Sequence, residues 1–364
     1  MVYESLGLMS GSSLDGIDIA HCRMHWDGQK ITDWQLLAAE TLPYSQVWHD
    51  RLKGLPEQNA LNFAKTNTYF GYYMGELVNQ FKKEKGITNI DYIASHGHTI
   101  FHDPERRYTV QIGHGGALAA ITRNKVISDF RVQDVALFGE GAPLAPLADA
   151  YLFDGYDFYL NIGGIANLSA NRKGRRIGFD FAPANQVLNF LAGELGLPYD
   201  TEGQIARGGT ISTALLAQLQ AAGYYKKAYP KSMANEWIRA AVIPIFIENE
   251  LPIADQLATA TELIALELTA AIRQIRQTEA WPIENARLLA SGGGVFNAYL
   301  MERMQALLFS EKVDIILPEK PIIEFKESLL MSLLGLLRLE AVANCWPELT
   351  GAKRATVNGG IYLG

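Results

Sequence analysis

The sequence predicts a duplicated α/β protein, with two related domains facing each other across a cleft. Three observations predict it. A run of three strand-like segments followed by mixed helix and strand occurs twice along the chain. Each copy opens on a glycine-interrupted hairpin, "LMSGSSLDGID" in the first and "NIGGIANLS" in the second. The 364 residues also exceed what one hydrophobic core usually serves. A cleft with a glycine hairpin on each wall is a sensible place for a ligand.

The first copy begins with β-rich runs at Tyr3–Met9, Ile17–Met24 and Trp34–Leu42, with Asp15-Gly16 and Asp27-Gly28 as turn signals. A helix is expected over Ala60–Lys85, then a strand at Tyr92–Ser95 and a loop at Ser95–Thr99. Gly115–Thr122 reads as helix and Lys125–Ser128 as strand. The second copy has strands at Asp157–Ile162, after the glycine turn, and at Arg175–Asp180. Helices follow near Gln186–Gly193, Ile211–Ala222 and Leu257–Gln277. In the last, Leu257, Ala260, Ile264, Leu268, Ala271 and Ile275 recur at three- and four-residue steps. Strands at Arg287–Ala290 and Val313–Leu317 flank a helix carrying Leu300, Met304 and Leu307 on one face. Lys326–Ala343 closes as a helix. The expected domains are residues 1–128 with about 344–364, and residues 129–343.

Composition narrows the function classes. The chain is 48% hydrophobic and 20% charged, with a net charge of −7. That charge argues against a nucleic-acid binder, which needs a basic surface to displace counterions. Cys22 and Cys345 are the only cysteines, too few for a disulfide framework or a zinc site. No basic segment followed by an apolar stretch marks a signal peptide, and the apolar run Leu329–Leu337 is far short of a membrane span. A cytoplasmic protein without membrane contact is expected.

Three loops carry the functional signal: Gly11–Gly16, Gly163–Asn167 and Gly292–Asn297. Glycine lets main-chain amides approach an anion, and serine hydroxyls add donors. Any one of them could simply turn the chain. Three placed symmetrically in a duplicated chain point to a nucleotide, although neither G-x-x-x-x-G-K-[ST] nor a G-x-G-x-x-G strand-to-helix unit is present. His96, His98 and His102 lie close in "SHGHTIFH" but lack a cysteine partner and helical metal spacing. A metal site is therefore not expected from them.

"GLMSGSSLDGID" closely resembles the opening signature of the anhydro-N-acetylmuramic acid kinases, whose usual form has threonine at the place of Ser12. The resemblance continues in order through "SHGHTIFH", "VISDFRVQD", "GEGAPLAP", "NIGGIANLS", "GFDFAPANQ", "SGGGVFN", "KESLLMSLLG" and "TGAKRATVNGGIY". It implies the actin-like ATPase fold, two ribonuclease H-like domains with a nucleotide in the cleft. The implied reaction converts 1,6-anhydro-N-acetylmuramic acid, ATP and water to N-acetylmuramic acid 6-phosphate and ADP. Magnesium and a homodimer are implied with it.

Water adding at the anomeric carbon needs a base, and the phosphoryl group needs in-line positioning and charge stabilisation. Asp180, ending a strand before Pro183 and a helix that Asn185 could cap, is the expected base. Capping a turn is its bland alternative. Glu327 matches the family glutamate near the sugar and would pair with Asp180 in function. Arg131 matches a sugar-contacting arginine, and a fixed guanidinium suits the lactyl carboxylate. An ion pair with Asp129 or Asp134 is the alternative. His96 and His98 are expected to contact the sugar. Gly11, Ser12, Ser13, Leu14, Asp15, Gly16 and Ile17 are expected at the β- and γ-phosphates, with Asp15 and Asp18 orienting magnesium-bound water. Gly163 and Gly164 support the phosphates, and Gly292, Gly293, Gly294 and Asn297 lie near adenosine.

The chain departs from the family pattern where F-D-T-G-P-G-N becomes Phe179-Asp180-Phe181-Ala182-Pro183-Ala184-Asn185. If those glycines need positive φ, each alanine costs about 1 kcal/mol or diverts the loop. His98 and Glu140 replace glutamines, and Phe138 enters a usually glycine-containing stretch. A kinase for another sugar, or a catalytically silent nucleotide-binding relative, stays open on these grounds.

Overall fold

A computed structural model describes residues 1–11, 14–172, 175–229, 231–281 and 284–364. The chain divides into two compact units, Met1–Asp154 with Phe325–Gly364, and Gly155–Glu324.

In the first unit, β1 (Val2–Ser10), β2 (Gly16–Trp26) and β3 (Ile31–Pro43) form an antiparallel meander. β4 (Tyr92–Asp103) runs parallel to β1, and β5 (Tyr108–Ile112) folds back on β4. β6 (Val126–Ser128) runs parallel to β4. In the second unit the antiparallel set is β7 (Phe158–Ile162), β8 (Ile165–Arg172) and β9 (Arg175–Pro183). β10 (Ala286–Ser291) lies parallel to β7, and β11 (Val313–Ile316) parallel to β10. β12 (Gly360–Tyr362) returns to pair with β6 in the first unit. Both sheets share one order: β3-β2-β1-β4-β6 repeats as β9-β8-β7-β10-β11. Three antiparallel strands followed by two parallel ones, twice, is the duplicated ribonuclease H-like topology.

The helices form where the apolar spacing demands them. Ala60–Glu84 turns Thr66, Phe70, Met74 and Val78, each four residues apart, into its sheet, and Asn59 caps it by accepting from the Asn62 amide at 3.0 Å. Ile253–Thr278 buries all six residues of its expected stripe. Among the described residues, no helix is long and apolar enough to cross a membrane.

The boundaries expected near residues 128 and 343 are corrected to Asp154 and Glu324. The reason is packing. The helix Lys326–Leu339 buries every residue from Ser328 to Leu337. A Cβ at Gly7 would stand 1.7 Å from the Ser328 carbonyl oxygen, so helix and β1 meet at the closest approach a backbone permits. Ser5 and Ser332 hydroxyls pair at 2.5 Å, and Tyr92 donates to the Ser332 carbonyl at 2.7 Å. The helix Ala145–Leu152 belongs here too, through Trp34 Nε1 donating to the Leu152 carbonyl at 2.7 Å. A second correction concerns Ser95–Thr99, which is strand interior rather than loop. β4 bulges there, Leu8 facing Ser95 and Ser10 facing His98, with Gly97 at φ +72° and its Cβ position 2.3 Å from the Ile112 carbonyl oxygen.

Candidate functional site

In the first unit the parallel strands end together at Ser10, His98 and Ser128, and polar side chains gather at that edge. The β4 bulge turns His96 towards Arg131, which follows β6. His96 Nδ1 donates to its neighbour's carbonyl, Gly97 O, at 3.0 Å. That leaves Nε2 to accept from Arg131 Nε at 2.8 Å, while Arg131 Nη1 donates to the Gly141 carbonyl at 2.6 Å. Burial and the Arg131 charge hold the His96 pKa down at about 3, so the ring is a neutral acceptor. His96 therefore orients the arginine with both ring nitrogens committed, a role the sequence did not reveal. The ion-pair alternative for Arg131 gives way to these two bonds.

His98 is buried beside Ser10. Tyr44 donates to Ser10 Oγ at 2.6 Å, and Ser10 Oγ meets His98 Nδ1 at 2.9 Å. The Ser10 hydroxyl carries two lone pairs besides its proton, so it can hold Nδ1 in either tautomer. Burial lowers the His98 pKa as well. Ser10 and Tyr44 were not read as site residues; Tyr44 lies just past β3 and carries no motif of its own. His102 takes a third partner, Thr109 Oγ1 at 3.0 Å. Among the described residues no three His, Cys, Asp or Glu side chains converge as a metal centre.

Glu327 stands in the first turn of the helix Lys326–Leu339. Its side chain reaches solvent, yet the protein around its carboxyl pushes its pKa up, while the Arg131 and Lys326 charges pull it back. A cavity of about 180 Å³ is lined by His96 together with Asn67, Gln111, His114 and Asp129, among others.

The opening loop divides by side chain. Leu14, at φ +59°, and Ile17 pack into the first unit's core, so only their main chains are available outward. Gly16 is fixed by the fold, its Cβ position lying 2.4 Å from the Leu42 carbonyl oxygen. Asp18 accepts from Thr41 Oγ1 at 2.5 Å, Asp15 is exposed, and Gly11 is half-buried. Ser12 and Ser13 lie outside the described residues.

In the second unit the adjacent parallel strands β7 and β10 bring Gly163-Gly164 and Gly292–Gly294 to one edge. Their glycines differ in kind. Gly292 has φ +86° and Gly294 would drive a Cβ to 2.2 Å from Ile162 Cγ2, so the fold itself requires both. Gly163, Gly164 and Gly293 have no positive φ, and a Cβ would meet nothing closer than 3.5 Å. Nothing within the protein asks for glycine there; a group approaching from outside would. The carbonyls of Gly163 and Gly164 accept from Asn185 and from Ala184 and Gln186, seating the helix Asn185–Gly193. Ala184, not Asn185, holds the N-cap position, which corrects that expectation; Asn185 instead donates to the Ile162 carbonyl at 3.4 Å. Asn297 caps the helix Ala298–Phe309, accepting from the Leu300 amide at 3.0 Å.

Asp180 faces Asn167 across β8, next to a bulge at Phe181. Its Oδ2 accepts from the Met233 amide at 2.8 Å and from Ser232 Oγ at 3.1 Å. Burial raises its pKa and these two bonds lower it again. The carboxylate thus fastens the segment at 231–233, a link across some fifty residues that no local pattern signals. Phe181, Ala182 and Ala184 are all buried. Neither alanine has positive φ, so the cost tied to that conformation does not arise; Ala184 instead sits at φ −125° and ψ −110°.

A chain with two ribonuclease H-like units, each ending its parallel strands in a glycine-bearing or polar edge, defines the actin-like ATPase class to which sugar kinases belong. Residues 3–364 match the family model "Anhydro-N-acetylmuramic acid kinase", and the chain belongs to that family. It is similar to the anhydro-N-acetylmuramic acid kinase of Pseudomonas syringae pv. syringae, at 34% identity over 100% of both chains. A relative of the same name from Chromohalobacter salexigens is 33% identical over 99% of both, and one from Microcystis aeruginosa 32% over 98% of this chain and 99% of its own.

Proposed function

We propose that this protein uses ATP and water to open the ring of 1,6-anhydro-N-acetylmuramic acid and phosphorylate O6, releasing N-acetylmuramic acid 6-phosphate and ADP in cell-wall recycling. Water forms a bond to the anomeric carbon and gives a proton to Asp180. The C1–O6 bond breaks, and O6 takes the γ-phosphoryl group. Burial raises the Asp180 pKa, which makes its carboxylate a stronger base for that proton. Arg131, held at two nitrogens, presents its free edge to the lactyl carboxylate. Glu327 stands as the second acid beside the sugar, and His98 contacts the sugar through its ring. The small cavity by Asp129 has room for one arm of the sugar, not the whole ring.

Main-chain amides at Gly11 to Gly16 and at Gly163, Gly164 and Gly293 receive the phosphates. Asp15 and Asp18 supply hard oxygen donors of the kind magnesium takes, and the ion would neutralise phosphate charge there. A homodimer and a cytoplasmic setting complete the reading; two free buried cysteines agree with a reducing compartment.

The observation that carries the reading is the full-length family match. Of the departures that suggest a different sugar, those at Phe181, Ala182 and Ala184 are buried in the core, while His98, Phe138 and Glu140 remain to be weighed by the substrate assay. The test is turnover of the anhydro sugar with magnesium-ATP in labelled water. One solvent oxygen at the anomeric carbon is expected; phosphorylation without label would overturn the coupled ring opening.

A further inference from the structure

Asp134 lies three residues past Arg131, in the helix Val132–Ala136, and is 0% exposed. Its carboxylate is shared between two segments distant in sequence. Oδ2 accepts from the Gly141 amide at 2.7 Å. Oδ1 accepts from Thr350 Oγ1 at 2.8 Å and from Cys345 Sγ at 2.6 Å. Gly141 is therefore gripped at both main-chain groups, its N–H by Asp134 and its carbonyl by Arg131 Nη1 at 2.6 Å. Gly139 closes the arrangement from the other side, since a Cβ there would stand 2.2 Å from Asp134 Oδ2. Among the described residues the guanidinium's other hydrogen bond is to His96, from Nε.

We infer that Asp134 is a positioning residue for substrate recognition, fixing the Arg131 guanidinium through Gly141 so that it meets a carboxylate on the sugar. The inference rests on the reading that Arg131 receives that carboxylate. A carboxylate that donates nothing and accepts three hydrogen bonds is well suited to the task, because it pins the 139–141 loop to the 345–350 segment. Without it, the Gly141 amide loses its partner and the carbonyl that receives Arg131 is less firmly aimed, although the Glu140 amide still donates to the Thr350 carbonyl at 2.8 Å. Asp134 touches no substrate; its effect passes entirely through Arg131.

The test compares two ligands of nearly the same shape, the anhydro sugar acid and its methyl ester, by calorimetric titration of the full chain. The readout is the ratio of their affinities. A general loss of structure weakens both and leaves the ratio alone. The wild type is expected to prefer the acid by at least about tenfold, one charge-assisted bond's worth, and Arg131→Ala to bring the ratio close to one. Asp134→Ala is expected to collapse the ratio likewise while ATP affinity stays within about twofold. Asp134→Asn, whose amide oxygen can still accept from Gly141, should restore most of it. Gly139→Ala pushes on the carboxylate without removing it, and should lower the ratio even if Asp134→Ala does not fold. If Arg131→Ala abolishes the preference while Asp134→Ala and Gly139→Ala retain it, the inference is wrong. If the wild type shows no preference and Arg131→Ala matches it, the underlying reading of Arg131 fails first, and the positioning role falls with it.

Discussion

The strand-end edges of the two units are built from opposite materials. In the first, side chains dominate: Arg131, His96, His98, Ser10 and Tyr44 are joined by hydrogen bonds that fix their directions. In the second, the edge is main chain, with Gly163, Gly164 and Gly293 left open and a single acid, Asp180, fastened to the segment at 231–233. A side-chain edge reads the shape and charge of one molecule. A main-chain edge accepts any group presenting anionic oxygens. One topology, used twice, thus ends in hydrogen-bonded side chains in one copy and in open main chain in the other.

The largest expected effect lies on the one acid of the second edge. Asp180→Asn should lower kcat by about 10²–10⁴-fold, the usual worth of a positioned base, with ATP affinity unchanged in equilibrium binding. A protein inactive both before and after the change would mark a nucleotide-binding relative without catalysis. Next come the open glycines. Gly163→Ala and Gly293→Ala should raise the KM for ATP by about tenfold, equivalent to one lost main-chain contact of about 1.4 kcal/mol, with the Tm unmoved. Gly294→Ala should do the reverse, costing about 1–3 kcal/mol of stability by overpacking against Ile162, as thermal unfolding would register. If all three glycines behave alike, the contrast between open and packed positions fails.

Smaller effects sharpen the electrostatics. Burial already raises the Asp180 pKa, so the acid limb of the rate profile should lie above the usual carboxylate range. Ser232→Ala removes a bond that lowers it, and should move that limb to still higher pH. On the first edge, His96 is neutral when folded, its pKa depressed from 6.5 to about 3. The unfolded chain takes up the proton first, so its contribution to stability is present above pH 6.5 and lost as pH falls towards 3. His96→Gln should flatten the fall in Tm across that window.

Much of the architecture was legible in the sequence because it is local. The stripe from Leu257 to Ile275 and the two glycine hairpins are patterns of period and turn chemistry, and both are present in the structure. Unit boundaries were not legible, because the helix Lys326–Leu339 joins a sheet formed by residues some three hundred positions earlier. The site was legible as residue types but not as partnerships. His96, expected at the sugar, also supports Arg131; Asn297, expected near adenosine, also caps a helix. Tyr44 lies outside every quoted motif, and Ser10 and Asp134 stand inside motifs that do not mark the neighbour through which each acts, since tertiary folding brings that neighbour up.

Gly7 has one further consequence. The helix that carries Glu327 rests directly upon β1, and β1 runs on to Ser10 and the loop beyond it. The acid and the start of the opening loop therefore share a common datum, one rigid strand with a single missing methyl as its seat. A substitution at this inner position, touching no ligand, would lift the helix and disturb the spacing between the two while leaving every reactive side chain in place.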